Sequence, residues 1–324
     1  MLARIAHDLY WLGRHLVRAE HTARMLDGLF HADLQGRPDD PASVTLSWDD
    51  VLMIMGAGQP VAGSPAHRAD VVRLLTTALD NPISIVSSAT AAREGARTLR
   101  DTISTEMWES VNTFQLLLGR QDLDAGLRTG PYSIYNMVKE RSALFWGLTA
   151  RTMQKDEARA FLVAGGRLEA ADMVLRMLRV ALPPAPDSNG EGPESPRRDG
   201  NALALLRAVG GLQAFMRAAA QPPNAGPVSH FMLYEREFPD SVAASVESLS
   251  GALERVEGNP QESPPVLRVR RMLADLDFRA RVTPGPDAVS PLLRPVQQEL
   301  ERLDTEIHDQ FFHPSSVVTQ TVTG

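Results

Sequence analysis

Two pairs of arginines in this chain of 324 residues have the spacing needed to bind an anion together. Arg14 and Arg18 stand four residues apart, and so do Arg93 and Arg97. On a helix each pair would lie along one face. A planar guanidinium group binds a carboxylate or a phosphate through two parallel hydrogen bonds. If the two helices face each other, we expect the four arginines to converge on one such anion.

Acidic side chains near these arginines leave a second interpretation open. Glu20 precedes Arg24 by four residues and Glu94 precedes Arg97 by three, and both spacings also form ion pairs within a helix. The arginines could therefore bind a substrate or fix how the helices pack. Glu20, Glu94 and Glu109 are the candidates for moving protons in a reaction.

Other kinds of chemistry have little support in the sequence. Trp108 could stack on a substrate, although a tryptophan more often packs in a core. The four histidines of the first 31 residues are spaced by eight, six and ten residues, which does not suit a metal site on a helix. The chain contains no cysteine, no glycine-rich phosphate loop and no nucleophile elbow. We therefore expect it to bind neither a metal nor a cofactor of its own.

The stretch that carries the first arginines returns later in the chain, so the element that positions them is duplicated. A shift of 152 residues places residues 9–26 on residues 161–178. In both copies apolar residues recur at spacings of three and four, which predicts a long helix with one buried face. The aligned pairs are Gly13 with Gly165, Leu16 with Leu168, Ala19 with Ala171, Glu20 with Asp172, Arg24 with Arg176 and Leu26 with Leu178.

The repeated glycines, Gly13 and Gly165, predict that the two helices cross closely, because a glycine inside a helix costs roughly 1 kcal/mol relative to alanine. We expect an all-α, multi-helix bundle in which two related halves pack with approximate pseudo-twofold symmetry. The whole chain, 1–324, would form a single domain, with a first half at 1–155 and a second at 156–312.

Helical periodicity dominates the remaining sequence. Residues 183–200 are rich in proline, glycine and charge and predict a flexible loop, and residues 313–324 predict a frayed tail. The expected helices cover about 2–33, 46–56, 66–80, 83–119, 132–153, 156–182, 200–220, 226–237, 239–257, 264–278 and 289–312.

The duplicated stretch also carries a family resemblance. Residues 9–26 read LYWLGRHLVRAEHTARML, and residues 165–172 read GGRLEAAD. Together with residues 81–97, 107–109 and 231–242, they resemble the alpha-E domain family, a group of all-helical bacterial proteins. Ten charged or aromatic positions agree with the family pattern, namely Arg14, Arg18, Glu20, Arg24, Arg93, Glu94, Arg97, Trp108, Glu109 and Asp172.

The chain departs from the family pattern at six positions within the same motifs. The family usually has a charged or amide side chain at each of them, so the polar centre of the family is expected to be remodelled here. The departures are Val17, His21, Gly95, Gly166, Ala170 and Asp240.

The resemblance implies a link to peptide or amide-bond chemistry, because alpha-E proteins look like companions of circularly permuted ATP-grasp ligases and transglutaminase-like peptidases. It implies that ATP and Mg²⁺ are bound by the partner ligase and not by this chain. The substrate-binding residues that it suggests are Arg14, Arg18, Arg24, Arg93, Arg97, Trp108 and Asp172.

Three functions remain open at this point: a non-ATP-binding subunit of a ligation system, a purely structural scaffold, and an independent enzyme acting on a carboxylate or phosphate. A net charge of −7 argues against a nucleic-acid partner. Charges interrupt every apolar segment, so neither a membrane span nor a signal peptide is expected, and we predict a cytoplasmic protein. A homo-oligomer is compatible with the sequence.

Overall fold

The computed structural model describes residues 1–35, 46–58, 66–120, 123–183, 195–219, 221–282 and 289–313. These residues form helices and no strands, which confirms the all-α fold class. A π-helix, His308–Phe312, directly follows the last α-helix. The α-helices are α1 (Ala3–Gln35), α2 (Trp48–Met55), α3 (Arg68–Thr76), α4 (Ile85–Thr98), α5 (Thr105–Arg120), α6 (Leu123–Thr129), α7 (Tyr132–Thr152), α8 (Glu157–Ala181), α9 (Ser195–Ala208), α10 (Leu212–Ala218), α11 (Ala225–Tyr234), α12 (Val242–Val256), α13 (Pro264–Val282) and α14 (Ser290–Ile307).

The two helices predicted from the repeat, α1 and α8, lie side by side at the centre of the fold. Both bury the predicted face, with Leu9, Leu16 and Leu26 on α1 and Leu168 and Leu178 on α8 almost completely covered. Among the described residues, no helix combines the length and the apolar character needed to cross a bilayer.

The crossing of α1 and α8 is as close as the repeated glycines predict. A Cβ atom added to Gly13 would overlap the carbonyl oxygen of Leu162, and one added to Gly165 would overlap the carbonyl oxygen of Tyr10. The shift of 152 residues that relates the two glycines also relates Tyr10 to Leu162. The two contacts are therefore reciprocal, and neither glycine can be replaced by a larger residue unless the backbones separate.

The helix contacts in the two halves follow one pattern. Helix α1 packs on α4 and α7, α4 on α5, and α5 on α7; correspondingly, α8 packs on α12 and α14, α12 on α13, and α13 on α14. Two further contacts join the halves, since α2 packs on α8 and α9 packs on α1. The described contacts thus pair α1, α4, α5 and α7 with α8, α12, α13 and α14.

The helices that join the halves end in the same way. Gly56 after α2 and Gly210 after α9 have φ angles of +71° and +68°, which favour glycine. A Cβ atom on Gly56 would lie 3.3 Å from Nη1 of Arg176, and one on Gly210 would lie 3.0 Å from Nη1 of Arg24. Each helix therefore ends against the repeated arginine of the opposite half.

Helices α4 and α12 begin with serine caps. The side chain of Ser84 accepts a hydrogen bond from the backbone N–H of Ser87, and Ser241 accepts one from that of Ala244. Each serine follows a proline by two residues, Pro82 in one case and Pro239 in the other. Both prolines precede their helices.

Several predicted boundaries were wrong. The helix expected at 83–119 is two helices, because Ser104 accepts a hydrogen bond from the N–H of Met107 and starts α5 separately. The helix expected at 200–220 is likewise α9 and α10, separated at Gly210, whose positive φ does not fit a helix. Helix α6 occupies a stretch between the helices expected at 83–119 and 132–153, where none was predicted.

Two predicted irregular segments are only partly covered. Helix α9 already begins at Ser195, within the loop expected at 183–200, while residues 184–194 lie outside the described residues. Of the tail expected at 313–324, residues 314–324 also lie outside them.

Candidate functional site

Two of the predicted anion-binding arginines meet a carboxylate of the opposite half. Arg18 donates from Nε to Oε1 of Glu169 over 2.6 Å and from Nη2 to Oε2 over 3.0 Å. Arg14, one turn earlier on α1, donates from Nε to Oε2 of the same carboxylate over 2.8 Å. Glu169 lies on α8, one turn beyond the glycine crossing. The carboxylate thus joins two turns of α1 to α8.

A second carboxylate completes this cluster. Asp304 of α14 accepts from Nη1 of Arg14 over 2.8 Å and from the hydroxyl of Tyr10 over 2.7 Å. The Arg14 guanidinium also lies 4.8 Å from the centre of the Trp11 ring. We call Tyr10, Arg14, Arg18, Glu169 and Asp304 the central network. It connects three helices, α1, α8 and α14.

Burial makes the electrostatics of the central network strong. Burial alone would raise the pKa of Glu169, but Arg18 and Arg14 outweigh it and hold this pKa at about 2. Burial alone would lower the pKa of Arg14, but Glu169 and Asp304 raise it above its ordinary value. Burial, together with Asp304, raises the pKa of Tyr10. Glu169 is therefore ionised at neutral pH and is not poised to exchange a proton.

His15 lies next to the central network and is held in its neutral form. Burial and the neighbouring charge of Arg18 lower its pKa to about 4. Its ring lies 5.5 Å from that of Trp11, and among the described residues its Nδ1 atom has no hydrogen-bond partner.

The repeated acidic and basic residues form equivalent ion pairs in the two halves. Glu20 pairs with Arg24 at 2.7 Å and accepts from the hydroxyl of Ser142 on α7. In the second half, Asp172 pairs with Arg176 at 2.5 Å. Gln297 of α14 donates to Asp172 over 3.0 Å and accepts from Arg179, and burial raises the pKa of Asp172. Each pair binds α7 or its counterpart α14.

The remaining predicted residues lie on α4 and α5, where Glu94, Arg97 and Glu109 are exposed and Arg93 and Trp108 are half-buried. Arg93 donates to Glu94 over 2.6 Å and to Asn112 over 2.8 Å, and Arg97 donates to Glu94 over 2.9 Å. The hydrogen bonds and charges of Arg97 and Arg93 hold the pKa of Glu94 below its usual value. Trp108 of α5 lies beneath the guanidinium of a further arginine, Arg100, at 4.0 Å.

The described contacts do not bring the four predicted arginines to one point. Arg14 and Arg18 meet at Glu169, whereas Arg93 and Arg97 meet at Glu94. Glu109 is exposed, and the described contacts include no ion pair for it. No group of three or more metal-binding side chains is found in the parts of the chain that the structure describes.

Sequence reasoning missed the two carboxylates of the central network as site residues. Glu169 carries a usable signal, since it lies in the second copy of the repeat, three residues before Asp172. Asp304 carries none, because it lies outside the repeated stretch and reaches Arg14 only through the packing of α14 on α8.

The repeat-related counterpart of the central network is apolar. The shift of 152 residues takes Arg14 to Gly166, Arg18 to Ala170, and Val17 to Glu169. A Cβ atom on Gly166 would lie 2.8 Å from the Trp146 ring and 3.4 Å from Cγ2 of Val17. We call Val17, Trp146, Gly166 and Ala170 the apolar counterpart. The tryptophan ring occupies the space beside Gly166, where a longer side chain would have to fit.

Comparison with known proteins gives relatives of unknown function. Uncharacterised proteins of Mycobacterium bovis and Mycobacterium tuberculosis are 23% identical over 98% of this chain. The match covers 36% of each relative, so the chain spans about a third of their length. No solved structure matches significantly. The family model for Alpha-E, described as a predicted alpha-helical domain with a conserved ER motif, matches residues 1–312. The chain therefore belongs to the Alpha-E family.

Proposed function

We propose that this chain is a non-ATP-binding subunit that holds a partner protein or a substrate in a peptide or amide ligation system driven by an ATP-grasp protein. The observation that supports a holding role is the pairing of the predicted arginines. Arg14 and Arg18 are bound to Glu169, and Arg93 and Arg97 to Glu94. Guanidinium groups already bound by carboxylates fix the positions of helices more readily than they capture a substrate.

The central network suits a structural role for a second reason. A buried ion pair adds little net stability over an apolar contact, but it requires a particular geometry and so favours one arrangement of the helices. Arg14 meets this condition with two carboxylates from two different helices. We propose that it fixes the crossing angle of α1 and α8, and with it the surface that a partner would contact.

The repeated contacts support an approximate pseudo-twofold relation between the halves. The glycine contacts at the crossing are reciprocal, and the Glu20–Arg24 pair has its counterpart in Asp172–Arg176. Isologous packing of this kind is typical of a twofold axis. Such an arrangement would present two related faces, of which a partner could use one or both.

The class of partner rests on the family resemblance. Alpha-E proteins look like companions of circularly permuted ATP-grasp ligases and sometimes of transglutaminase-like peptidases. In this proposal ATP and Mg²⁺ are bound by the ligase. The greater length of the mycobacterial relatives supports a domain that works beside other modules, because about two thirds of each relative lies outside the match.

A purely structural scaffold is the second candidate. The apolar counterpart favours it, since Val17 and Gly166 replace charge at positions where Glu169 and Arg14 carry it. The third candidate function is an independent enzyme, which would need a carboxylate that exchanges protons near neutral pH. Glu169 does not meet this need, because its pKa is about 2.

Two measurements test the proposal. The tagged chain, purified from its native host, should bring down an ATP-grasp protein that mass spectrometry can identify. ADP release by that purified ligase should then rise when the chain is added in equimolar amount, and an unrelated helical protein should have no effect. Copurification without a change in rate would favour the scaffold, and the absence of both effects would refute the proposal.

A further inference from the structure

A pocket of about 260 Å³ opens between the C-terminal part of α1 and helices α7 and α9. It lies away from the central network and includes one predicted site residue. Its lining consists of Arg24, Asp27, Gly28 and His31 from α1, Lys139 from α7 and Arg207 from α9.

The lining of this pocket has an excess of positive charge. Three cations face one carboxylate, that of Asp27. Lys139 donates to the Oδ2 atom of Asp27 over 2.8 Å. The Oδ1 atom of Asp27 has no hydrogen-bond partner among the described residues, and Nδ1 of His31 instead lies 2.8 Å from the backbone carbonyl oxygen of Asp27. This carboxylate therefore balances Lys139 but leaves the charge of Arg207 uncompensated.

Two donor groups in the lining remain available to a ligand. Arg24 uses Nε and Nη2 to bind Glu20, and its Nη1 atom points towards Gly210 instead of a carboxylate. Arg207 lies in the last turn of α9, is exposed, and has no ion pair or hydrogen bond from its side chain within the described ranges.

The size of the pocket limits what it can hold. Pockets that bind drug-sized ligands have volumes of roughly 300–1,000 Å³, so a pocket just below that range suits a smaller molecule. Gly28 contributes only backbone to the lining, and a Cβ atom added to it would lie 3.7 Å from Ala208 of α9. We infer that this pocket binds a small oxyanion, a carboxylate or a phosphate group, between Arg24, Lys139 and Arg207.

Titration calorimetry on the purified full chain at low ionic strength tests this inference, with inorganic phosphate and glutarate as separate probes. Low salt is needed because screening weakens such contacts. The variant is Arg207→Gln. The matched control is Arg217→Gln, which removes the same charge from an exposed arginine in the last turn of α10, outside the pocket.

We expect at least one probe to bind the unmodified chain, and Arg207→Gln to weaken that binding about tenfold, as the loss of one charge-assisted hydrogen bond would. Arg217→Gln should leave it unchanged. Binding of phosphate alone or of glutarate alone would identify the oxyanion. The inference fails if neither probe binds, or if both variants weaken binding equally, which would indicate a diffuse charge effect. It concerns the isolated chain, so its failure would leave the proposed ligation partner untouched.

Discussion

The central network and its apolar counterpart occupy repeat-related positions on α1 and α8, yet they are built from opposite chemistry. On one side Glu169 binds Arg14 and Arg18. On the other, the ring of Trp146 and the side chain of Val17 both lie beside Gly166. Both sets lie beside the same close crossing. The comparison teaches that the two sides of one close crossing can be filled by different chemistry, an ion-pair network on one side and an aromatic ring on the other.

The family pattern shows which residues differ between the central network and its apolar counterpart. Where family members usually have Glu-Arg in both halves, this chain has Val17 and Arg18 in the first and Glu169 and Ala170 in the second. The two charged residues that remain bind each other over 2.6 Å. One ion pair is therefore assembled from one residue of each half, while the positions that the repeat relates to it, Val17 and Ala170, are both apolar.

Separating the helices should have the largest effect on both sets of residues. We expect Gly165→Val to lower the free energy of unfolding by about 5 kcal/mol or to prevent folding, because its side chain would overlap the backbone of Tyr10. Urea unfolding measures this. As a control, Gly147→Ala on α7 meets no neighbouring atom and should stabilise the chain by up to about 1 kcal/mol. Equal effects of the two changes would contradict the close crossing.

Removing the shared carboxylate should damage only the charged set. We expect Glu169→Gln to cost about 4 kcal/mol, since Arg18 would lose the carboxylate it pairs with and Arg14 would keep only Asp304 of its two. Chemical denaturation at pH 7 provides the measurement. A loss below about 1 kcal/mol would show that the guanidinium groups find water or other partners.

Adding charge to the apolar counterpart should also be unfavourable. Val17 is 8% exposed and lies near Gly166, so Val17→Glu would bury a carboxylate where the repeat places Ala170, and not an arginine, as its partner. We expect a loss of about 3 kcal/mol in thermal or urea unfolding. Leu2→Glu, at a residue that is 72% exposed, is the control and should change little. A harmless Val17→Glu would mean that this site still tolerates charge.

Lowering the pH should reduce the free energy of unfolding through His15, which lies beside the central network. The folded chain keeps this residue neutral down to about pH 4, whereas the unfolded chain protonates it below its ordinary pKa of 6.5. The unfolded state then binds more protons, so stability falls as the pH falls. We expect the unmodified chain to lose about 2 kcal/mol more than His15→Gln between pH 7 and pH 5.

The control for this titration is His313→Gln, because the side chain of His313 is 71% exposed. It should follow the pH dependence of the unmodified chain. Unfolding free energies measured across this pH range for all three proteins decide the matter, and identical curves for His15→Gln and the unmodified chain would show that His15 already titrates normally in the fold.

The smallest effect is expected where charge is exposed. Glu94 joins Arg93 and Arg97 on the surface of α4, and surface ion pairs contribute little because water screens them. We expect the unfolding midpoint of Glu94→Gln to match that of the unmodified chain within error. A clear loss of stability would mean that this cluster resembles the central network more than its exposure suggests.

The parts of the fold that the sequence predicted are those decided by local pattern. The buried faces of α1 and α8 follow from apolar spacing, and the close crossing follows from Gly13 and Gly165. The break between α4 and α5 was missed because a single capping residue, Ser104, competes with an otherwise continuous helical pattern.

The candidate site was predicted only in part, for a similar reason. Arg14 and Arg18 stand out by their spacing within one helix. Asp304 is 290 residues from Arg14 along the chain, and only the packing of α14 brings it near. The predicted convergence of Arg93 with Arg14 assumed that residues on neighbouring helices point at each other. Instead, Arg14 binds Glu169 and Arg93 binds Glu94.

The exchange of helices between the halves has a consequence for how this protein is made. Because α9 covers α1 and α2 covers α8, the amino-terminal half leaves the ribosome before the segments that shield its central helix exist. The apolar surface of α1 is fully covered only after α9 has been synthesised, which ends at Ala208, more than fifty residues beyond the end of the first half at residue 155. Nascent chains stalled before α8 should therefore bind chaperones, and release should follow once α9 has emerged.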